Sequence, residues 1–298
     1  MGVKRTISMV MAAGVALAMV TPVAHADENA RQLLFFNHAY GVFDRQTADA
    51  IEHSTYLREF ANFQVRTTTG EQGTWTGRYL YGRETYIELF GVGDVPGQDG
   101  TLGSAGLGVS TEHDGDFEQV TENLRKQGVA DPIYFLQKRD FGDHVPVPWF
   151  DAVFTDTQYD KFGAWAMEYR PEYLADPRSK VEPESYPGDV GRERYLNDDY
   201  RDHLMRDVTA IRVGVTAGDL ADTVPLLKAG GFAVRTVPGG VVAQCGGTEI
   251  RFDTVPVEQA GVKRIEFSLN HPVLQRHEER LGSSTLVVGP GSHAVWTF

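Results

Sequence analysis

The stretch "QLLFFNHAYGVFDRQTADAIEHSTYLREFAN", residues 32–62, sets the fold. Residues 32–44 are apolar and aromatic and read as a strand. Residues 45–62 place Ala48, Ile51, Tyr56, Leu57 and Phe60 at helical spacing. Three further strands follow, "FQVRTTT" (63–69), "TWTGRYLYG" (74–82) and "ETYIELFG" (84–91), divided by Gly and polar turns. The order is β-α-β-β-β.

That order returns along the chain, as a repeat architecture requires. A second copy runs "SAGLGVST", "DGDFEQVTENLRKQG", "PIYFLQKRD", "PWFDAVFTD" and "FGAWAMEYRP", its helix stopping at Gly128. The third runs "TAIRVGVT", "GDLADTVPLLKAGG", "FAVRTV", "GVVAQC" and "TEIRFD". A fourth, shorter by one strand, runs "VKRIEFSL", "HPVLQRHEERLG" as its helix, "STLVVG" and "HAVWTF". Between the second and third copies, residues 175–207 are rich in charge, Pro and Gly; their first half reads as a linker and their second as a polar connecting helix. The expected fold is therefore α+β, four β-α-β-β-β units paired into two cupped mixed-sheet domains. The boundaries are 27–175 for the N-terminal pair, 176–207 for the connection and 208–298 for the C-terminal pair.

Residues 1–26 carry Lys4 and Arg5, an apolar run from Ile7 to Val20, and Ala24-His25-Ala26 before an acidic stretch. This is the pattern of a secretory leader cut after Ala26, so the mature chain is expected to be secreted or periplasmic. The apolar run is short for a bilayer span, and no membrane association is expected after cleavage. The net charge of −13 argues against nucleic acid and anionic membranes as partners. Cys245 is the single cysteine, so no internal disulfide forms.

Glu88, in the middle of "YIELF", is the residue that points to chemistry. Glutamate is depleted in strands and costly to bury without a partner. Strand alternation puts Tyr86, Glu88 and Phe90 on one face, and Phe36, His38 and Tyr40 on one face of the first strand. Two readings are open: an outward carboxylate with a core histidine, or an imidazole and a carboxylate facing a common ligand. Trp75, Tyr79, Tyr81 and Trp165, with Tyr40, are placed by alternation to line a pocket. His144, in "DFGDHVPVPWFD", is a candidate general base or additional ligand.

The tandem units, with "NHAYGVFD", "YIELFG", "TAGDLADTVPLLKAGGF" and "WAMEYRP", resemble the vicinal-oxygen-chelate superfamily of glyoxalases, extradiol dioxygenases and bleomycin-resistance-like binding proteins. The resemblance implies a cupped sheet holding a divalent metal (Mn, Fe, Ni or Zn). Its ligands would be His38, Glu88 and Glu168, with Ser104 or Ala105 standing where a fourth would be. The implied function is a metal-dependent enzyme acting on a small molecule with vicinal oxygens; the alternative is a non-catalytic small-molecule-binding protein using the same cup. The C-terminal pair lacks the ligand pattern and reads as a degenerate copy.

Overall fold

The computed structural model describes residues 31–70 and 73–298; the leader expected at residues 1–26 lies outside them. The N-terminal strands are β1 (Phe35–Phe43), β2 (Asn62–Gly70), β3 (Gly73–Tyr81), β4 (Tyr86–Gly91), β5 (Ala105–Ser110), β6 (Ile133–Asp140), β7 (Val147–Phe154) and β8 (Phe162–Tyr169). They close into a barrel in the order β1-β4-β3-β2-β6-β7-β8-β5. The first helix of the sequence reading is two, α1 (Arg45–His53) and α2 (Thr55–Phe60), because Ser54 turns extended and accepts from the Leu57 N–H at 3.1 Å. α3 (Asp116–Lys126) serves the second unit. Two first strands, β1 and β5, run antiparallel side by side at the centre, and each pairs in parallel with its own unit's last strand. The far seam is thin: β2 meets β6 only at Thr69–Asp140 and Gly70–Arg139.

After α4 (Pro171–Leu174) and α5 (Arg192–Tyr195) comes a second eight-stranded sheet: β9 (Met205–Val215), β10 (Ala233–Val237), β11 (Gly240–Cys245), β12 (Thr248–Thr254), β13 (Gly261–Val273), β14 (His277–Leu281), β15 (Ser284–Val288) and β16 (Gly291–Thr297), with α6 (Ala217–Ala229) after β9. Its order, β10-β11-β12-β9-β13-β16-β15-β14, repeats that of the barrel, but its end strands do not meet and it stays open. The fold is thus the expected α+β arrangement of two mixed sheets. One continuous core joins them, from Phe36, Phe60 and Leu107 to Ile211, Phe252 and Trp296, with ring contacts such as Phe162 to Phe252 across the divide.

Three expectations need correction. The segment 271–282 is not a helix: it is the end of β13 followed by the edge strand β14, so the fourth unit has all four strands and no helix. Residues 277–281 pair antiparallel with 284–288, and the alternation of exposed Glu278 and Arg280 with buried Leu281 suits an edge strand. The connecting helix of 176–207 is only the four-residue α5 and a 3-10 turn at Asp198–Asp202. Nor is the segment a loose linker, since Val190, Arg192, Leu196 and Tyr200 are buried. Arg192 donates to the Phe36 carbonyl at 2.6 Å and pairs with Glu84 at 3.3 Å, tying the segment to β1 and to the residues leading into β4. Lastly, Phe36 does not share a face with His38: a bulge between them shifts the pairing with β5 and sends Phe36 into the core and His38 into the barrel.

Candidate functional site

The barrel encloses a cavity of about 350 Å³. β1 contributes His38 and Tyr40, β4 contributes Tyr86, Glu88 and Phe90, and β8 contributes Trp165, Met167 and Tyr169. More than half of the lining residues are Phe, Tyr or Trp. Two glycines of β5 make room for this arrangement. A Cβ on Gly108 would run into the His38 ring, and one on Gly106 into the Tyr40 ring. The "GLG" of "SAGLGVST" therefore marks close approach of side chains to backbone.

His38 is held on three sides. Its ring stacks on Tyr86 with centroids 4.5 Å apart, and Trp165 meets it edge-on at 5.3 Å. Its Nδ1–H donates to Asn37 Oδ1 at 2.8 Å, while the Asn37 amide NH₂ donates to Tyr195 OH at 2.6 Å and to Ser110 Oγ at 3.0 Å. In this orientation the Nε2 lone pair is left facing Glu88, whose Oε1 lies 4.0 Å away. Burial pushes the imidazole down to about 3, so it is neutral across the physiological range. Burial also pushes Glu88 up to about 7, with the charge of Arg66 and a hydrogen bond from Tyr86 pulling the other way. The guanidinium of Arg66 stands in the barrel wall over the rings of Tyr79 (4.6 Å) and Tyr81 (5.7 Å).

Tyr195 belongs to the connecting segment and stacks on Tyr169 at 3.7 Å. With Leu196 it packs against Tyr79, Tyr81 and Tyr86, and so the segment plugs one end of the barrel. At the cavity, Asp99, from the loop after β4, accepts from Tyr159 OH at 2.5 Å and Tyr40 OH at 3.4 Å. Neither Tyr195 nor Asp99 carried a signal in the sequence, because both depend on long-range packing.

The other sequence candidates divide. Tyr40, Trp75 and Trp165 line the cavity. Tyr79 and Tyr81 are buried in the wall behind it; Tyr79 OH accepts from Trp75 Nε1 at 3.2 Å. His144 lies on the exposed turn between β6 and β7, its side chain 95% exposed and its Nδ1 3.6 Å from Asp140, away from the cavity. Glu168 is on the opposite face of β8 from Trp165 and Met167. It accepts from Thr111 Oγ1 (2.9 Å) and from the backbone N–H groups of Phe117 (3.2 Å) and Gly115 (3.4 Å). It therefore caps α3, whose own N-cap, Gly115, has no side chain to do so.

These positions bear on the metal that the resemblance implies. The first unit supplies one imidazole and one carboxylate. At the matching inward positions the second unit supplies Gly106 and Gly108 on β5 and Trp165 and Met167 on β8, none of them a first-row metal donor of the expected kind. Among the described residues no three of His, Cys, Asp and Glu come together as a metal-holding group. The donor set does not fit a chelated metal.

A family model matches residues 36–298. The chain belongs to DUF5829, a family of unknown function. No curated protein matches its sequence. Among solved structures, this DUF5829 chain is similar to a hypothetical protein from Staphylococcus aureus, 12% identical with a TM-score of 0.52, covering 87% of this chain and all of the other. It also aligns with a Mn(II)-bound glyoxalase from Novosphingobium aromaticivorans (8% identity, TM-score 0.42, 88% of this chain and 81% of that one). A further alignment is with the 2,2',3-trihydroxybiphenyl 1,2-dioxygenase of Sphingomonas wittichii strain RW1 (14% identity, TM-score 0.36, 78% and 71%). The first likeness bears on the fold; none carries chemistry over to this chain.

Proposed function

We propose that this is an exported small-molecule-binding protein whose ligand occupies the aromatic cup of the barrel. The observation that carries the reading is the cavity itself. It has the size of a small-molecule site, is walled by aromatic rings, and has a neutral imidazole and a desolvated carboxyl turned into it, with no third metal donor beside them among the described residues. The leader at residues 1–26 supports action after export. Three of the four tryptophans, Trp75, Trp149 and Trp165, line the cup, so their fluorescence reports occupancy. Titration with a panel of small aromatic compounds should give saturable quenching or a spectral shift. Ala152→Phe, which fills the cup from β7, should abolish that response while far-UV circular dichroism stays unchanged. An unaltered response in the filled variant would place the ligand elsewhere and end this reading.

A second reading has one observation in its favour, the facing of His38 Nε2 and Glu88. A carboxyl titrating near neutrality beside an imidazole lone pair is suited to moving a proton on a bound molecule. In that case Glu88→Gln loses turnover of the ligand even at saturating ligand, followed by mass spectrometry. Ligand returned unaltered by the wild type would leave binding alone.

A further inference from the structure

The charge of the cup narrows the ligand class, an inference that rests on the cup being the ligand site. Among the described residues, the carboxyl groups of its lining are those of Glu88 and Asp99, and no Lys or Arg lines it. Arg66, whose charge opposes that of Glu88, is not among the lining residues; its guanidinium lies over the rings of Tyr79 and Tyr81, and its buried Nε has no hydrogen-bond partner among the described residues. Asp99 draws the hydroxyls of Tyr40 and Tyr159 to itself, which leaves the rings of both residues to the cavity. Aromatic faces carry the negative lobe of the ring quadrupole and attract cations, best of all when the site is desolvated. An anion entering this space would meet two carboxyl groups and the negative faces of rings, with no counter-charge on the surface it touches. A neutral molecule would gain only apolar contact.

We propose that the cup takes an organic cation, an ammonium-type group on an apolar body, with the cationic centre between Glu88 and the rings of Tyr40 and Trp165. Charge and aromatic surface act together here: the carboxylates set the sign, and the rings accept a bulky, weakly hydrated cation that a bare acidic cluster would not prefer to a metal ion.

The test compares three probes of one shape on the full chain, read by tryptophan fluorescence at pH 8: benzyltrimethylammonium, its neutral carbon isostere neopentylbenzene, and anionic phenylmethanesulfonate. The ammonium compound should bind at least about tenfold more tightly than the isostere, with the sulfonate weakest. The double variant Glu88→Gln, Asp99→Asn should remove most of the cation's advantage over the isostere, the rings alone keeping the remainder, while leaving isostere binding in place, which also shows that the variant is folded; an advantage as large as in the wild type overturns the charge inference. Equal binding of cation and isostere by the wild type, or tighter binding of the sulfonate, overturns the charge inference and leaves the cup reading standing. Failure of all three probes to bind overturns both.

Discussion

Glu88→Gln should change stability in a pH-dependent way, and the sign follows from the site. The carboxyl titrates near 4.5 in an unfolded chain and at about 7 in the fold, because burial disfavours its charged form. Below pH 4.5 it is protonated in both states and adds no pH-dependent term. As pH rises from 4.5 to about 7 the unfolded chain ionises first, the folded chain holds more protons, and stability falls. Above pH 7 the full penalty is present. A shift from 4.5 to about 7 corresponds to about 3 kcal/mol. The carboxyl keeps 15% exposure toward the cavity, and water there lowers the figure to about 2 to 3 kcal/mol. Glutamine escapes this term. Urea unfolding followed by fluorescence should therefore show the variant gaining about 2 to 3 kcal/mol on the wild type between roughly pH 4.5 and pH 8, or about 4–10 °C in Tm. Glu168, also raised to about 7 by burial, is present in both proteins and cancels in the comparison. A difference that does not change with pH, or a glutamine variant that loses ground at pH 8, would mean that a cation holds the carboxylate in the fold, and the reasoning would fail.

Two other predictions concern the residues around the pair. Glu168→Ala removes the cap of α3 and should cost about 1 to 2 kcal/mol in urea unfolding while leaving ligand affinity in the cup unchanged; a lost affinity would place Glu168 in the site after all. Gly108→Ala drives a methyl into the space of the His38 ring, so ligand affinity should fall by about tenfold or more, equivalent to about 1.4 kcal/mol, and the imidazole NMR signals should shift; unchanged signals would show that the ring does not lie against β5.

Most of the strands were legible because alternating apolar residues and Gly turns are local signals. Trp75 and Trp165 were legible for the same reason. Glu168 was readable but misread: it lies three residues from Trp165, and in an unbroken strand an odd separation puts two side chains on opposite faces, so both could not enter the cup. His38 entered the cup although Phe36 did not, because one extra residue at Asn37 shifts the parity of β1, and bulges leave little trace in composition. The connecting segment concealed its role because its polar composition describes its outer surface. Its inward residues, Tyr195 and Leu196, are set by packing across more than a hundred residues of chain. The segment 271–282 misled in another way, since its charge spacing mimics a helix while its pairing with β15 and β16 makes it strand.

The most direct test of a cup with a two-donor pair and no chelated metal is elemental analysis of the untagged chain after incubation with Mn, Fe, Ni and Zn and removal of free ions. Well under one equivalent of any metal is expected, unchanged in the His38→Ala, Glu88→Ala double variant. Close to one equivalent in the wild type, lost in that variant, would contradict it.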